Sequence, residues 1–209
     1  MVPLAIFFDA TQVTFLSGAV IAPLVEEGAK AGCLLLLYFT RNFDNPTDGF
    51  VYGAAAGLGF GMTENFLYFA SMAEEGVGAW VATVIIRTLF TGLMHATASS
   101  VIGAGLGWAK FSQHQYRGLA LPVSYLLAVF VHAFWNGFLL VPIVFDGATA
   151  LPLVSFLLFP LAFVAVFLVF QTSILSERRL IKRELQFEAE LGTLPRMHVD
   201  KIGSWSSRR

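Results

Sequence analysis

The sequence predicts an all-α polytopic membrane protein with about five transmembrane helices and a polar cavity at mid-membrane depth. The chain of 209 residues is 56% hydrophobic and only 13% charged, roughly half the charge of an average soluble domain. Residues 1–175 carry 14 charged side chains, whereas the much shorter stretch 176–209 carries 13. The first stretch therefore contains long apolar runs, and a helix needs only about 20 such residues to cross a bilayer.

The spans are found between the charged residues, in chain order. They are predicted at residues 13–40, 49–73, 79–109, 119–141 and 151–175. The first three are interrupted by a few charged side chains, and the last two are not. Transmembrane strands are excluded because the runs are far too long and do not alternate with a period of two. Met1–Gln12 is apolar but too short to span, so we expect the end of a helix or an interfacial segment.

Basic residues mark the sides of the membrane. Arg41 follows the first span, Lys110 and Arg117 follow the third, and a basic cluster follows the fifth, whereas the other loops carry only acidic residues. Basic loops favour the cytoplasm. We therefore expect an integral membrane protein with its C-terminus cytoplasmic.

Two regions follow from this distribution. Residues 1–175 are predicted to form the membrane-embedded domain, and residues 176–209 a cytosolic charged helix and flexible tail. No basic stripe exists outside the tail, so the sequence favours no nucleic-acid partner. Cys33 is the only cysteine, which excludes a disulfide within the chain.

Small residues and one proline predict how the first three spans pack. Glycines repeat every four residues in each of them, at Gly28/Gly32, Gly53/Gly57/Gly61 and Gly103/Gly107. This spacing lets helices approach closely in lipid. Pro23 should kink the first span or loosen its hydrogen-bond ladder just before the glutamates.

Four ionisable side chains from four spans are expected at one depth. Glu26, Glu64, His95 and His132 each lie within three residues of the middle of their span. At about 1.5 Å per residue, all four fall within about 5 Å of the midplane. Charged groups at this depth are costly and need partners or water. We therefore predict a shared polar cavity.

Local spacing suggests different roles for Glu26 and Glu27. Glu26 and Lys30 are four residues apart, so they can pair on one helix face. Glu27 points about 100° away, so one glutamate can face the cavity while the other braces it.

The remaining polar residues are assigned in the same way. His132 and Asn136 are also four apart and can address one point. Arg87 is interpreted as a counter-charge to Glu64 or to the glutamate pair, and Asn65 neighbours Glu64 but lies a step round the helix. Trp135 is expected to pack.

Several chemistries remain open for this cavity. A glutamate could take a proton from water that attacks a peptide carbonyl, with His132 and Asn136 stabilising the oxyanion. Alternatively, Glu64, His95 and His132 could hold Zn²⁺, with one of the paired glutamates as general base. A proton-coupled transporter lined by Glu and His is the competing class.

Four ordered motifs resemble the PrsW family of intramembrane proteases. They are EExxK at Glu26–Lys30, FxxxEN at Phe60–Asn65, the segment Arg87–His95, and the His132–Asn136 segment. The match covers residues 20–140. The motifs are also similar to those of the wider CPBP superfamily, which includes the type II CAAX prenyl endopeptidases. That CAAX branch has histidine where Glu64 stands, and arginine one place after the Lys30 position.

The resemblance implies proteolysis of a membrane-anchored protein within or near the membrane, with an anti-sigma factor as the best-known substrate class. It assigns Glu26 and Glu27 to the catalytic pair, Glu64 to the second-motif acid or ligand, and His132 with Asn136 to oxyanion stabilisation. Lys30, Arg87, His95 and Asn65 are supporting residues. An inactive scaffold that binds a single-span partner is the remaining alternative.

Overall fold

The structure, a computed structural model, describes residues 9–144, 151–196 and 198–199, and all regular elements in these ranges are helical. They are α1 (Ala10–Leu16), α2 (Ala22–Tyr38), α3 (Pro46–Met72), α4 (Val77–Ile86), α5 (Gly92–Phe111), α6 (Ala120–Val144) and α7 (Leu151–Glu190). The π-helical segment Ser17–Ile21 joins α1 to α2 without a break, and a second one, Arg87–Thr91, joins α4 to α5. The predicted all-α class is confirmed.

Three stretches of the described residues are long and apolar enough to cross a membrane. They are Val77–Phe111, Arg117–Val141 and Phe156–Glu190, matching the last three predicted spans. The helices at residues 10–38 and 46–72 are also long enough, at about 40 Å each. The first of them carries three charged residues and the second is rich in glycine, so crossing by these two stays a prediction.

Side-chain caps set where the first helices begin. The Asp9 carboxylate accepts a hydrogen bond from the Gln12 backbone N–H, and the Asp9 backbone N–H donates to Gln12 Oε1, which forms a capping box at the start of α1. The expectation that Met1–Gln12 ends a helix is therefore wrong for Ala10–Gln12, because a helix starts there; residues 1–8 lie outside the described ranges. Asn45 caps α3 because its side-chain oxygen accepts a hydrogen bond from the Asp48 backbone N–H, and Pro46 occupies the first turn.

The core of the bundle is the close contact of α3 with α5. A Cβ added to Gly53 would collide with the Ser99 carbonyl, and one added to Gly57 would collide with that of His95. The predicted role of these glycines in close packing is confirmed. A methyl group at Gly28 would meet one side-chain atom at 3.7 Å, and one at Gly32 would meet none within 4 Å. The prediction of close helix packing at this pair is therefore wrong.

This contact gives the first testable prediction. Gly57→Ala should lower the free energy of unfolding by about 3 kcal/mol, because the added methyl meets backbone that cannot move aside. Gly59→Ala is the matched control: it lies on the same helix with no atom within 4 Å and should be neutral or slightly stabilising. Thermal denaturation of both variants in detergent measures the difference. Equal midpoints would contradict the packing.

The chain divides into two compact units, Met1–Val166 and Phe167–Arg209. In the second unit, α7 ends at Glu190, and Gly192 adopts a positive φ of 78° that favours glycine. The Thr193 hydroxyl donates to the Glu188 carbonyl over 2.6 Å and secures this turn. The predicted boundary at residues 175/176 stays a prediction, and the predicted flexible tail lies largely outside the described residues.

Candidate active site

The structure brings together the ionisable side chains that four helices contribute to the first unit. Glu26 and Glu27 lie on α2, Glu64 on α3, His95 on α5 and His132 on α6. The rings of the two histidines meet edge to face with centroids 4.7 Å apart. Each histidine also touches a glutamate within 3 Å. His95 and His132 are therefore linked directly to each other and each to one glutamate, and Glu26 Oε2 lies 3.7 Å from His132 Nε2.

Glu27 is the buried centre of the site, with no exposed side-chain surface. Its Oε1 accepts hydrogen bonds from Lys30 Nζ over 2.6 Å and from His132 Nδ1 over 2.9 Å. Its Oε2 accepts from the Ser99 hydroxyl over 3.1 Å. With both oxygens engaged inside the protein, Glu27 braces other groups and does not line the cavity.

Lys30 connects the two histidines, because it contacts His95 directly and reaches His132 through Glu27. The predicted pairing of Lys30 with Glu26 is wrong, because the ammonium pairs with Glu27 three residues away while Glu26 points to the cavity. Lys30 Nζ also lies 2.9 Å from His95 Nδ1. An ammonium only donates hydrogen bonds, so this ring nitrogen accepts. The proton of the neutral His95 ring is then on Nε2, where it is donated to Glu64 Oε2 over 2.8 Å.

Arg87 holds the outer end of this network. Its guanidinium lies 3.1 Å from Glu64 Oε2, so of the two partners predicted for it the structure selects Glu64. Its Nε donates to Asn65 Oδ1 over 2.9 Å, and Asn65 Nδ2 donates back to the Arg87 carbonyl over 3.3 Å. The guanidinium also stacks 3.5 Å from the centre of the Tyr68 ring. Asn65 therefore orients Arg87 and touches no histidine.

Glu26 faces a cavity of about 420 Å³ between the helices. The cavity is lined by Thr14, Gly18, Ala22, Glu26, Glu64, Tyr68, Arg87, Thr91, Trp135, Asn136, Leu139 and Leu140. Oε2 of Glu26 is buried, accepts no hydrogen bond from the described residues, and lies 3.7 Å from His132 Nε2. Glu26 is thus the carboxylate that is free to act on a molecule in the cavity.

Asn136 reaches the cavity from α6. Its Nδ2 donates to the Gly18 carbonyl over 3.0 Å, whereas His132, one turn earlier, is turned toward Glu27. The predicted convergence of these two side chains on one point therefore holds only in part, because each is anchored to a different part of the first helix. Asn136 retains a second N–H on the same nitrogen.

Both π-helical segments contribute residues to the cavity. Gly18 belongs to the first, and Arg87 and Thr91 to the second. Such segments cost stability and are frequent at functional sites. Sequence reasoning missed Thr14 and Gly18, although both lie on the four-residue spacing that leads to Glu26. It also left Ser99 out of the site.

The formal charges of the site do not balance. Glu26, Glu27 and Glu64 are three carboxylates, whereas Lys30 and Arg87 are two cations. With neutral histidines, one negative charge remains in an apolar surrounding, where an uncompensated charge is costly. The excess falls on Glu26, the carboxylate without a cation beside it.

Three of these side chains have the geometry of a metal site. One ligand atom each from Glu26, His95 and His132 lies within 4.8 Å of the others, and this is a normal set of zinc ligands. The predicted set contained Glu64 in place of Glu26. The difference arises because Glu64 Oε2 already contacts His95 and Arg87, whereas Glu26 Oε2 has no hydrogen bond to give up.

Comparisons with known proteins agree with this picture. Residues 1–170 match the family described as PrsW family intramembrane metalloprotease. Protease PrsW of Geobacillus kaustophilus (strain HTA426) is 35% identical over 120 residues, which are 57% of this chain and 50% of the relative. Protease PrsW of Bacillus subtilis (strain 168) is 32% identical over 125 residues, 59% of this chain and 52% of the relative. The chain thus spans about half the length of the curated relatives it matches. Solved structures offer no significant match.

Proposed function

The chain belongs to the PrsW family of intramembrane metalloproteases, and on that premise we propose that it hydrolyses a peptide bond of a membrane-anchored protein. The observation that carries the proposal is the free carboxylate oxygen of Glu26, which faces the cavity beside His132. Glu27 is paired with Lys30 and Glu64 with Arg87, and these pairs hold the arrangement in place. Glu26 is therefore the group best placed to react.

In the first step, Glu26 takes a proton from a water molecule in the cavity as the oxygen of that water attacks the peptide carbonyl. His132 lies beside this carboxylate, with Nε2 3.7 Å from Glu26 Oε2, and its Nδ1–H is donated to Glu27. In the neutral ring, Nε2 then carries a lone pair directed toward Glu26. Nε2 of this neutral ring has no hydrogen to donate to the carboxylate, so it would accept a hydrogen bond from Glu26 once Glu26 has taken the proton from water.

In the second step, the carbonyl oxygen becomes negatively charged and needs a hydrogen-bond donor. The second N–H of Asn136 supplies it from the cavity wall, since the first is occupied by Gly18. Glu26 then passes its proton to the leaving amine as the C–N bond breaks. Water is consumed, and a carboxylic acid and an amine are formed.

A metal ion fits the same residues. Glu26, His95 and His132 would hold it, with His95 giving up its hydrogen bond to Lys30 or to Glu64 for the ion, and the buried unpaired oxygen of Glu26 and the excess negative charge both favour a cation there. Zn²⁺ bound at such a site polarises a carbonyl and makes water more acidic. With Glu26 then a ligand, Glu64 is the cavity-lining carboxylate that would accept the proton of the attacking water.

The substrate class follows from the membrane setting. Residues of Val77–Phe111 and Arg117–Val141, two of the stretches apolar enough to cross a bilayer, line the cavity, so we expect a peptide bond that reaches it to belong to a membrane-anchored protein. An anti-sigma-factor-like protein of a prokaryotic membrane is the expected substrate, with the C-terminus of the enzyme cytoplasmic. The wider CPBP placement remains a prediction from the motifs.

The experiment that tests the proposal is cleavage of a labelled single-span protein by the purified chain in liposomes. We expect discrete products that accumulate with time. Treatment with a zinc chelator, followed by metal analysis of the protein, separates the two chemistries. Loss of both bound zinc and cleavage, with recovery on adding zinc, supports the metal route, whereas unchanged cleavage supports the metal-free route.

The competing functions give different results in the same liposomes. Proton flux without cleavage would favour a transporter. Binding of the single-span protein with neither flux nor cleavage would favour a scaffold. Either result would overturn the proposed hydrolysis.

A further inference from the structure

We propose that Pro23 is a positioning residue for Asn136, because its missing N–H leaves the Gly18 carbonyl free to orient the Asn136 side chain. The proposal rests on the hydrolysis proposed above, in which Asn136 faces the reacting carbonyl. Pro23 itself is buried and does not line the cavity. Its effect on the site therefore passes through the backbone.

The hydrogen-bond ladder around Pro23 explains the free carbonyl. In the first π-helical segment, the backbone N–H of Ala22 donates to the Ser17 carbonyl, five residues earlier. In this register, the Gly18 carbonyl would be the acceptor for the N–H of residue 23. Proline has no N–H, so the ladder offers Gly18 no donor at that place. The gap falls at the carbonyl that contacts Asn136.

Helix α6 supplies a donor for this gap. Asn136 Nδ2 donates to the Gly18 carbonyl over 3.0 Å. The hydroxyl of Tyr125, also on α6, donates over 2.8 Å to the carbonyl of Leu24, just after the proline. Side chains of a neighbouring helix commonly satisfy backbone groups freed by proline inside a membrane. α6 therefore contacts the first helix on both sides of Pro23.

The space around Gly18 makes this contact specific. A methyl group at Gly18 would lie 2.6 Å from Leu140 Cδ1, so α6 packs directly against the segment. With one Nδ2 hydrogen on the Gly18 carbonyl, the planar amide group cannot rotate, and the other hydrogen keeps one direction. Asn136 lines the cavity, so that direction serves the proposed oxyanion.

Pro23→Ala tests the inference, because it restores an N–H that competes with Asn136 for the Gly18 carbonyl. We expect kcat for a single-span substrate to fall about tenfold to a hundredfold with KM unchanged, somewhat less than full removal of an oxyanion donor. Adding Pro23→Ala to Asn136→Ala should cause no further loss. The matched control is Pro160→Ala, which changes an exposed proline inside α7 and should leave cleavage unchanged.

A backbone ester distinguishes the missing N–H from the proline ring. Lactic acid placed at position 23 by nonsense suppression also lacks the N–H, so this variant should retain at least half of the wild-type kcat. If the ester loses as much activity as Pro23→Ala, the ring matters and the inference is wrong. Additive losses for Pro23→Ala and Asn136→Ala would also overturn it.

The thermal midpoints of the wild type, the two single variants Pro23→Ala and Asn136→Ala, and their double variant are measured alongside cleavage. If the effects of Pro23→Ala and Asn136→Ala are non-additive in the thermal midpoint but additive in kcat, the contact of Asn136 with the Gly18 carbonyl is structural only, and the positioning role is overturned. Absence of cleavage by the wild-type protein would refute the proposed function and this role together. Wild-type cleavage that Pro23→Ala leaves unchanged would refute this role alone.

Discussion

Glu26→Gln is expected to reduce peptide hydrolysis by about a thousandfold or more and to leave the fold intact. The amide keeps the size of the carboxylate but cannot take a proton from water, and general base catalysis contributes about 10²–10⁴-fold. The fold should survive because the buried Oε2 of Glu26 accepts no hydrogen bond from the described residues. Initial rates in liposomes and the thermal midpoint of the variant measure both parts of the prediction.

Two companion variants make this result specific. Glu75→Gln changes an exposed carboxylate after α3 and should cleave like the wild type. Glu27→Gln should lose activity together with stability, because Glu27 receives bonds from Lys30, His132 and Ser99. Retention of more than a tenth of the wild-type rate by Glu26→Gln would remove Glu26 from the proton-transfer role.

Lys30→Met should destabilise the protein by about 3–5 kcal/mol, the largest stability effect we expect. The ammonium is almost completely buried and contacts both Glu27 and His95. Its removal leaves the Glu27 carboxylate buried without its cation, and breaking a buried pair by deleting one partner costs this much. Reversible unfolding in mixed detergent micelles measures the change. Cleavage should be lost as well, because Glu27 and both histidines depend on this contact.

A second substitution distinguishes the charge from the packing of the side chain. The double variant Glu27→Gln/Lys30→Met removes both charges and should recover part of the lost stability, since residues in contact are not additive. Lys182→Met, on the exposed part of α7, is the control and should be neutral. A Lys30→Met protein as stable as the wild type would show that the buried pair contributes nothing.

Much of the fold could be predicted because it depends on local physics. The apolar runs predict the first four helical stretches to within a few residues, since a bilayer requires long helical stretches whatever their neighbours, whereas α7 continues to Glu190, beyond the predicted end of the fifth span at 175. The spacing of Gly53 and Gly57 predicted the close contact with α5, because a bare backbone permits it. The same argument failed at Gly28 and Gly32, where a methyl group would meet no backbone of another helix within 4 Å. A glycine repeat permits a contact but does not supply the partner.

The ionisable residues of the candidate site were also found from the sequence, because charge is rare in an apolar span. Their partners were not. A helix places Glu26 and Glu27 about 100° apart, but only the position of α6 and its His132 distinguishes the buried glutamate from the free one. Spacing alone favoured Glu26 as the partner of Lys30, whereas packing against His95 directs the ammonium to Glu27.

The sequence by itself determined the class of the protein, the order of its helices and the set of ionisable residues at one depth. These follow from hydropathy and helix periodicity, which act along one segment at a time. The tertiary structure decided that Oε2 of Glu26 has no hydrogen-bond partner among the described residues and that Glu26 completes the candidate metal-ligand set with the two histidines. It also decided that the Gly18 carbonyl, through which we propose Pro23 acts, contacts Asn136. Those features depend on hydrogen bonds a few ångströms long between residues more than a hundred positions apart, and only the packed bundle brings such residues into contact.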